Sequence, residues 1–196
     1  MRFKIFNTKI YVSFLFLAFL AVFLIIDKSG FALPMILASL CHEFGHLFSM
    51  WIFNAAPKEV NLIPGSIQIV SSFTTIKNNI FISLSGPITN LIIFFTLFLN
   101  NKLFETDDFL IFALINLILG LFNLLPIRGL DGGSVVYNII LFYTNEQKSE
   151  IVVNAISVVS AVLIMGIALI LTFIGQTSIS AYLLALYLIL SVLLKF

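Results

Sequence analysis

The sequence predicts an all-α polytopic membrane protein of about six transmembrane helices, with a short β-hairpin-like segment at the membrane surface between helices 2 and 3. Three observations predict it. Of 196 residues, 61% are hydrophobic and only 10% are charged, far below the roughly 25% charged of a soluble domain. Apolar runs long enough to cross a bilayer recur along the chain. One stretch, residues 54–79, is too polar and too broken to span. The length fits one membrane-embedded domain over residues 1–196. The net charge of +1, with no basic cluster, excludes a nucleic acid partner. Cys41 is the only cysteine, so no internal disulfide can form.

Residues 1–9 are short and basic, and 10–26 are uninterrupted and apolar. The run is longer than a usual signal core and no small-x-small site precedes Asp27, so it predicts an uncleaved first span. Asp27–Gly30 is a polar turn. The second span is 31–53, with Pro34 tolerated in its first turn. Val60–Ile63, Pro64-Gly65 and Ser66–Val70 read as strand, turn, strand, with an irregular loop as the other reading. A free edge there can accept an extended peptide by strand addition. The third span is 80–99, where Gly86 and Pro87 suit close helix contact in a membrane. Asn90 needs a partner in that setting, and a helix–helix hydrogen bond is the simplest one. A polar loop, Asn100–Asp108, leads to the fourth span, 109–125. Pro126 then ends regular helix, and Gly129, Gly132 and Gly133 permit tight turns, which puts Asp131 on a bent segment near a membrane face. Ser134–Tyr143 fits a short helix, and 151–174 and 179–194 complete the spans.

Charge orients these spans. With the N-terminus in the cytoplasm, the inner side carries Arg2, Lys4, Lys9, Lys58, Lys77, Arg128, Lys148 and Lys195, and the outer side only Lys28 and Lys102. That bias places both termini and the Asp131 loop on the cytoplasmic side of a multi-pass protein of the cell membrane.

The second span carries the only two histidines, His42 and His46, in the pattern HEFGH. Four apart on a helix, both imidazoles project from one face. An ionisable group inside a membrane span is costly and marks a functional site. The spacing is that of the HExxH zinc motif: His42 and His46 as ligands and Glu43 as general base. The plainer reading is a pair of core histidines satisfied by neighbouring helices. Zinc hydrolases use three protein ligands and leave one position for water. Asp131 is the available third ligand, because zinc coordination accounts for both near-membrane carboxylates, Glu43 and Asp131. Its alternative is an ordinary Asp-Gly turn. Asn123 can hydrogen-bond a substrate backbone or a developing oxyanion, or simply cap the fourth helix.

Taken together, HEFGH at 42–46, SGPITN at 85–90 and NLLPIRGLDGG at 123–133 resemble the HExxH, SGPxxN and NxxPxxxLDG segments of the site-2 protease family of intramembrane zinc metalloproteases. The first, fifth and sixth spans resemble the six-span members that process a pro-sigma factor. The resemblance implies a three-helix catalytic core over about 31–133, with accessory helices at about 10–26, 151–174 and 179–194. It implies one zinc ion held by His42, His46 and Asp131, Glu43 as catalytic base, and Asn123 on substrate or transition state. The substrate would be a protein or peptide precursor cut within or beside a membrane segment. One departure stands out: prolines often precede LDG in the family, whereas this chain has Arg128 and Gly129. Two rival classes share the composition. One is a membrane metal transporter, which would place polar groups along several helices. The other is a catalytically inactive binding scaffold, against which the retained His42, Glu43, His46 and Asp131 argue.

Overall fold

The computed structural model describes residues 2–5, 8–63, 66–71, 74–100 and 107–173. The chain divides into two compact units, Met1–Leu121 and Phe122–Phe196.

The first unit begins with strands β1 (Arg2–Ile5) and β2 (Thr8–Val12), followed by helices α1 (Phe14–Ile26) and α2 (Ala32–Ile52). Strands β3 (Pro57–Ile63) and β4 (Ser66–Ser71) come next, and then helices α3 (Ile76–Leu99) and α4 (Asp107–Asn123), the last two residues of α4 opening the second unit. The four strands form one sheet in the order β1-β2-β3-β4. The outer pairs are antiparallel and β2 runs parallel to β3.

This sheet corrects the expected all-α class. The hairpin forms, but β3 is paired on both sides, so the outer strands are β1 and β4. The N-terminal half of the sheet comes from residues expected to be a basic flank and the start of the first span. Their alternation explains it. Arg2 and Lys4 face the same side as Lys9 and Tyr11, while Phe3 pairs with Ile10 and, one strand on, Val60. Period-two alternation of this kind puts charge on one sheet face and apolar groups on the other. Lys9 meets Glu59 at 3.4 Å, and the Arg2 guanidinium lies 5.5 Å from the Tyr11 ring centre.

The first apolar helix is accordingly shorter than expected. α1 has 13 residues and buries none of them, about 20 Å of rise against the ~30 Å of a bilayer core. A helix apolar all round suits a non-aqueous surrounding. Asp27 fastens the turn to α2: its Oδ1 accepts from the Ser29 amide and hydroxyl, and its Oδ2 accepts from the Ala32 amide at 2.7 Å. The Ser29 hydroxyl first, then the Ala32 amide, hold the Asp27 carboxyl below its ordinary range.

α2 and α3 pack along matching stripes. Ala38, His42, Gly45, His46 and Ser49 are buried on α2, and Ile82, Gly86, Pro87 and Asn90 on α3. Spacings of three and four residues put each set on one helix face. α3 opens on Thr75, whose side chain accepts from the Asn78 amide. α4 presents a similar buried stripe of Ala113, Asn116 and Gly120. Gly120 is what lets α4 approach α3, since a methyl group there would lie 3.1 Å from the Pro87 carbonyl oxygen.

The second unit comprises α5 (Asp131–Tyr143) and α6 (Glu146–Phe173), with the bend 124–130 before them. Ile127 and Ala161 are its buried apolar centre, packed by Phe122, Leu125, Leu130 and Ile164. Arg128 ties the bend to α6. Its amide donates to Ser157 Oγ at 2.8 Å and its guanidinium to Asn154 Oδ1 at 3.0 Å, with Glu150 at 3.9 Å. Gly129 takes φ +90°, a conformation that a side chain disfavours. Asp131 is therefore not in the middle of a bent segment, as expected, but is the first residue of α5, three residues ahead of the expected Ser134 start.

Among the described residues, Ile76–Leu99 and Glu146–Ile170 are long and apolar enough to cross a membrane. α2 has the length, with 21 residues, but its polar motif lowers its hydropathy. The expected sixth span, 179–194, lies outside the described residues.

Candidate metal centre

α2 places His42 and His46 one turn apart on its buried face, with Nε2 atoms 3.1 Å from one another and ring centres 4.8 Å apart, nearly perpendicular. Their other nitrogens are committed. His42 Nδ1 lies 2.6 Å from Asn90 Oδ1, and His46 Nδ1 lies 2.7 Å from the Ile82 carbonyl oxygen. Ile82 O is an acceptor only, so His46 must carry its proton on Nδ1. Asn90 gives the same answer for His42. Its amide nitrogen donates to Ala38 O at 3.1 Å and to Asn116 Oδ1 at 2.8 Å, so the oxygen is the atom left to face the ring. In neutral imidazole the second nitrogen is then a lone-pair acceptor. Both Nε2 lone pairs point at one region from 3.1 Å apart, the arrangement that a shared cation stabilises. A hydrogen bond on the distal nitrogen is also how ligating histidines are held in one tautomer.

Gly86 keeps this region open. A methyl group built on Gly86 would collide with both Nε2 atoms. Gly45 does the same for the helix crossing, because a methyl group there would meet the Ser85 carbonyl oxygen at 2.7 Å. The SGP segment is thus the wall of the histidine pair, and Asn90, the last residue of SGPITN, makes the expected helix–helix hydrogen bonds, to Ala38 and His42 on α2 and Asn116 on α4.

Glu43 lies between the histidines on α2 and is half-buried. Asn123 is the half-buried last residue of α4. Asp131 opens α5 in the second unit, and its Oδ2 is buried. A carboxylate at a helix N-terminus interacts favourably with the helix dipole. Two imidazoles with one carboxylate are the donors of known hydrolytic zinc sites, and α2 supplies the two imidazoles. The lone pairs directed at one region and the open wall at Gly86 fit such an ion. Cys41 is a half-buried free thiol.

Asn116 went unread in the sequence. It was a single polar residue inside an apolar run, and that is the signal that marks it: no water inside a membrane helix can satisfy a carboxamide.

Parts of the chain are similar to known proteins. The family model described as Peptidase family M50 matches residues 101–167. A Methanocaldococcus jannaschii protein named "putative zinc metalloprotease" is 36% identical over 80 residues, which are 38% of this chain and 42% of that protein. The match thus spans less than half the length of that relative. The solved structure of a site-2 protease from Methanocaldococcus jannaschii matches with TM-score 0.70 at 22% identity, over 98% of this chain and 93% of that one. The fold is therefore that of a site-2 protease, and the part of the chain that the family model matches is similar to Peptidase family M50.

Proposed function

We propose that this protein is an intramembrane zinc metalloendopeptidase that hydrolyses a peptide bond within or beside a membrane segment of a protein or peptide-precursor substrate. The observation that carries the reading is the pair of Nε2 lone pairs of His42 and His46 converging at 3.1 Å, with both Nδ1 atoms fixed by acceptors. Asp131 is the third ligand, and one zinc ion per chain is the expected content. Residues 1–196 act as a single membrane-embedded catalytic domain.

Zinc, when bound, supplies Lewis acidity and an acidified water. Glu43, held between the two ligands on α2, takes a proton from the attacking water and delivers it to the leaving amine. The peptide C–N bond breaks as the new C–O bond forms, so water is divided between the two products. Asn123 donates a hydrogen bond to the substrate backbone or to the carbonyl oxygen as charge develops on it. The buried lining of Ala38, Ile82 and Pro87 beside the histidines limits access of bulk water.

The protein is integral to the cell membrane, with its N-terminus and the α5 start on the cytoplasmic side. The lysine and arginine bias supports that orientation, and the apolar side chains exposed along α1, α3 and α6 support the membrane setting. The test is direct. Purified protein should hold zinc, His46→Ala should lose it, and a membrane-segment reporter substrate should be cut by the wild type alone. Wild-type zinc content in His46→Ala would overturn the assignment.

A further inference from the structure

We infer that Asn116 is a positioning residue of the metal centre: through Asn90 it fixes the tautomer of His42, so that Nε2 presents its lone pair. This rests on the proposal that His42 binds zinc.

The argument is an accounting of donors and acceptors along one buried chain. Asn90 and Asn116 are both fully buried. Asn116 Nδ2 donates to the Phe112 carbonyl oxygen, one turn back on α4, at 2.8 Å. A carbonyl oxygen only accepts, so this bond fixes which end of the Asn116 carboxamide is which. Its Oδ1 then faces Asn90 and accepts from Asn90 Nδ2 at 2.8 Å. The other hydrogen of that nitrogen goes to Ala38 O at 3.1 Å. Asn90 is left with one orientation, oxygen toward His42 Nδ1 at 2.6 Å. Turning the Asn90 amide over would set its oxygen against two acceptor oxygens, those of Asn116 and Ala38. It would also present N–H to His42 Nδ1, moving the ring proton to Nε2 and removing the ligand lone pair. Asn116 supplies one of the two bonds that forbid this. A main-chain carbonyl of α4 thereby sets the protonation pattern of a side chain on α2, through three consecutive hydrogen bonds that each run from a donor to an acceptor. Buried networks of this kind polarise their members and favour one arrangement. His46 provides an internal contrast. Its Nδ1 faces the Ile82 carbonyl oxygen and not Asn90.

The test uses the full chain in detergent and two substitutions. Asn116→Leu is close in size and offers no acceptor. Asn116→Asp keeps an oxygen toward Asn90 whether or not it is protonated. In zinc-free protein, ¹⁵N NMR of the imidazoles should show Nδ1–H for both histidines in the wild type and in Asn116→Asp. In Asn116→Leu, His42 should become a tautomer mixture while His46 keeps its single form. Zinc affinity by chelator competition should fall about 10-fold in Asn116→Leu, the lower end of the effect of outer-shell partners on metal sites, and be retained in Asn116→Asp. A wild type that binds zinc beside an Asn116→Leu variant with unchanged His42 tautomer and affinity would overturn the inference. So would equal disturbance of both histidines, which would mark a general packing defect. Failure of the wild type to bind zinc would instead overturn the metalloprotease reading, and the tautomer comparison would still report on the relay.

Discussion

His42 Nδ1 stands 2.6 Å from Asn90 Oδ1, and that contact decides which nitrogen of His42 is available to a metal. It joins two motifs that lie 48 residues apart in the chain. Asn90→Ala removes the acceptor and lets the ring rotate and exchange tautomers. Zinc affinity should drop about 10- to 100-fold, as for other partners of ligating histidines. Chelator competition measures it, and an undiminished affinity would mean that the ring is oriented by something else.

Gly86→Ala sets two effects against each other. In the interior of a helix, alanine is favoured over glycine by about 1 kcal/mol, so the fold should be retained or gain slightly. The added methyl group, however, collides with Nε2 of both His42 and His46. The variant should express and resist thermal unfolding like the wild type, yet lose bound zinc and activity. Normal zinc content in this variant would show that the ion does not sit on the Gly86 side of the histidines.

The helices of the site were legible in the sequence, and the sheet only in part. HEFGH at helical spacing and the polar breaks located α2, α3 and α4 to within a few residues. The hairpin at 60–70 was readable from alternation around Pro64-Gly65. Arg2, Phe3, Lys4 and Ile5 alternate equally well, but a short basic segment before an apolar run also fits a membrane flank, and their partner β2 pairs in turn with β3 some fifty residues on. Parallel pairing of β2 with β3 is non-local and leaves no local signature. The sequence puts Asp131 on the bend, whereas it is the first residue of α5. Gly132 and Gly133 read as turn formers, whereas both are buried in the first turn of α5, where a methyl group on Gly132 would strike the Leu124 carbonyl group. The glycines are there for close packing of the bend on the helix. A polar residue inside an apolar run marks Asn116, but its role depends on the orientation of a second asparagine and has no signature in the sequence.

The turn between α1 and α2 should be insensitive to mild acid. Bonds from Ser29 and Ala32 lower the Asp27 carboxyl below its ordinary 3.8. A depressed folded-state value means that the turn's contribution is present above the unfolded value and is lost only as pH falls through the folded one. Carbon-13 NMR titration should find Asp27 ionised at pH 4, and Ser29→Ala should move its midpoint upward. A wild-type midpoint above 3.8 would contradict these bonds.

Topology tests the proposed direction of access. A reporter fused after Asn145 should read cytoplasmic and one inserted near Glu105 should read external, because the lysines and arginines predict that orientation. The reverse pattern would place the start of α5 on the outer face and exclude release of product to the cytoplasm from that side.

The two carboxylates of the proposed site can be separated by experiment. Glu43 lies between two imidazoles on one helix, where a carboxylate is placed to move protons rather than to bind through the same face as His42 and His46. Asp131 opens a different helix, and its Oδ2 is buried, which suits a ligand. Glu43→Gln keeps the size and polarity of the side chain and removes its capacity to accept a proton. It should retain zinc and substrate while losing turnover by at least about 10²-fold, the usual scale of general-base catalysis. Asp131→Ala removes a ligand and should lose zinc together with activity. With two imidazoles remaining, excess zinc should restore some metal binding but not turnover, since the ion would be held without its third anchor. The measurements are zinc content and cleavage of a membrane-segment reporter substrate in detergent, for both variants and wild type. Loss of zinc in Glu43→Gln with retention in Asp131→Ala would exchange the two roles. Normal cleavage by both variants would show that the peptide bond is broken without these carboxylates, and the protein would not be the protease proposed here.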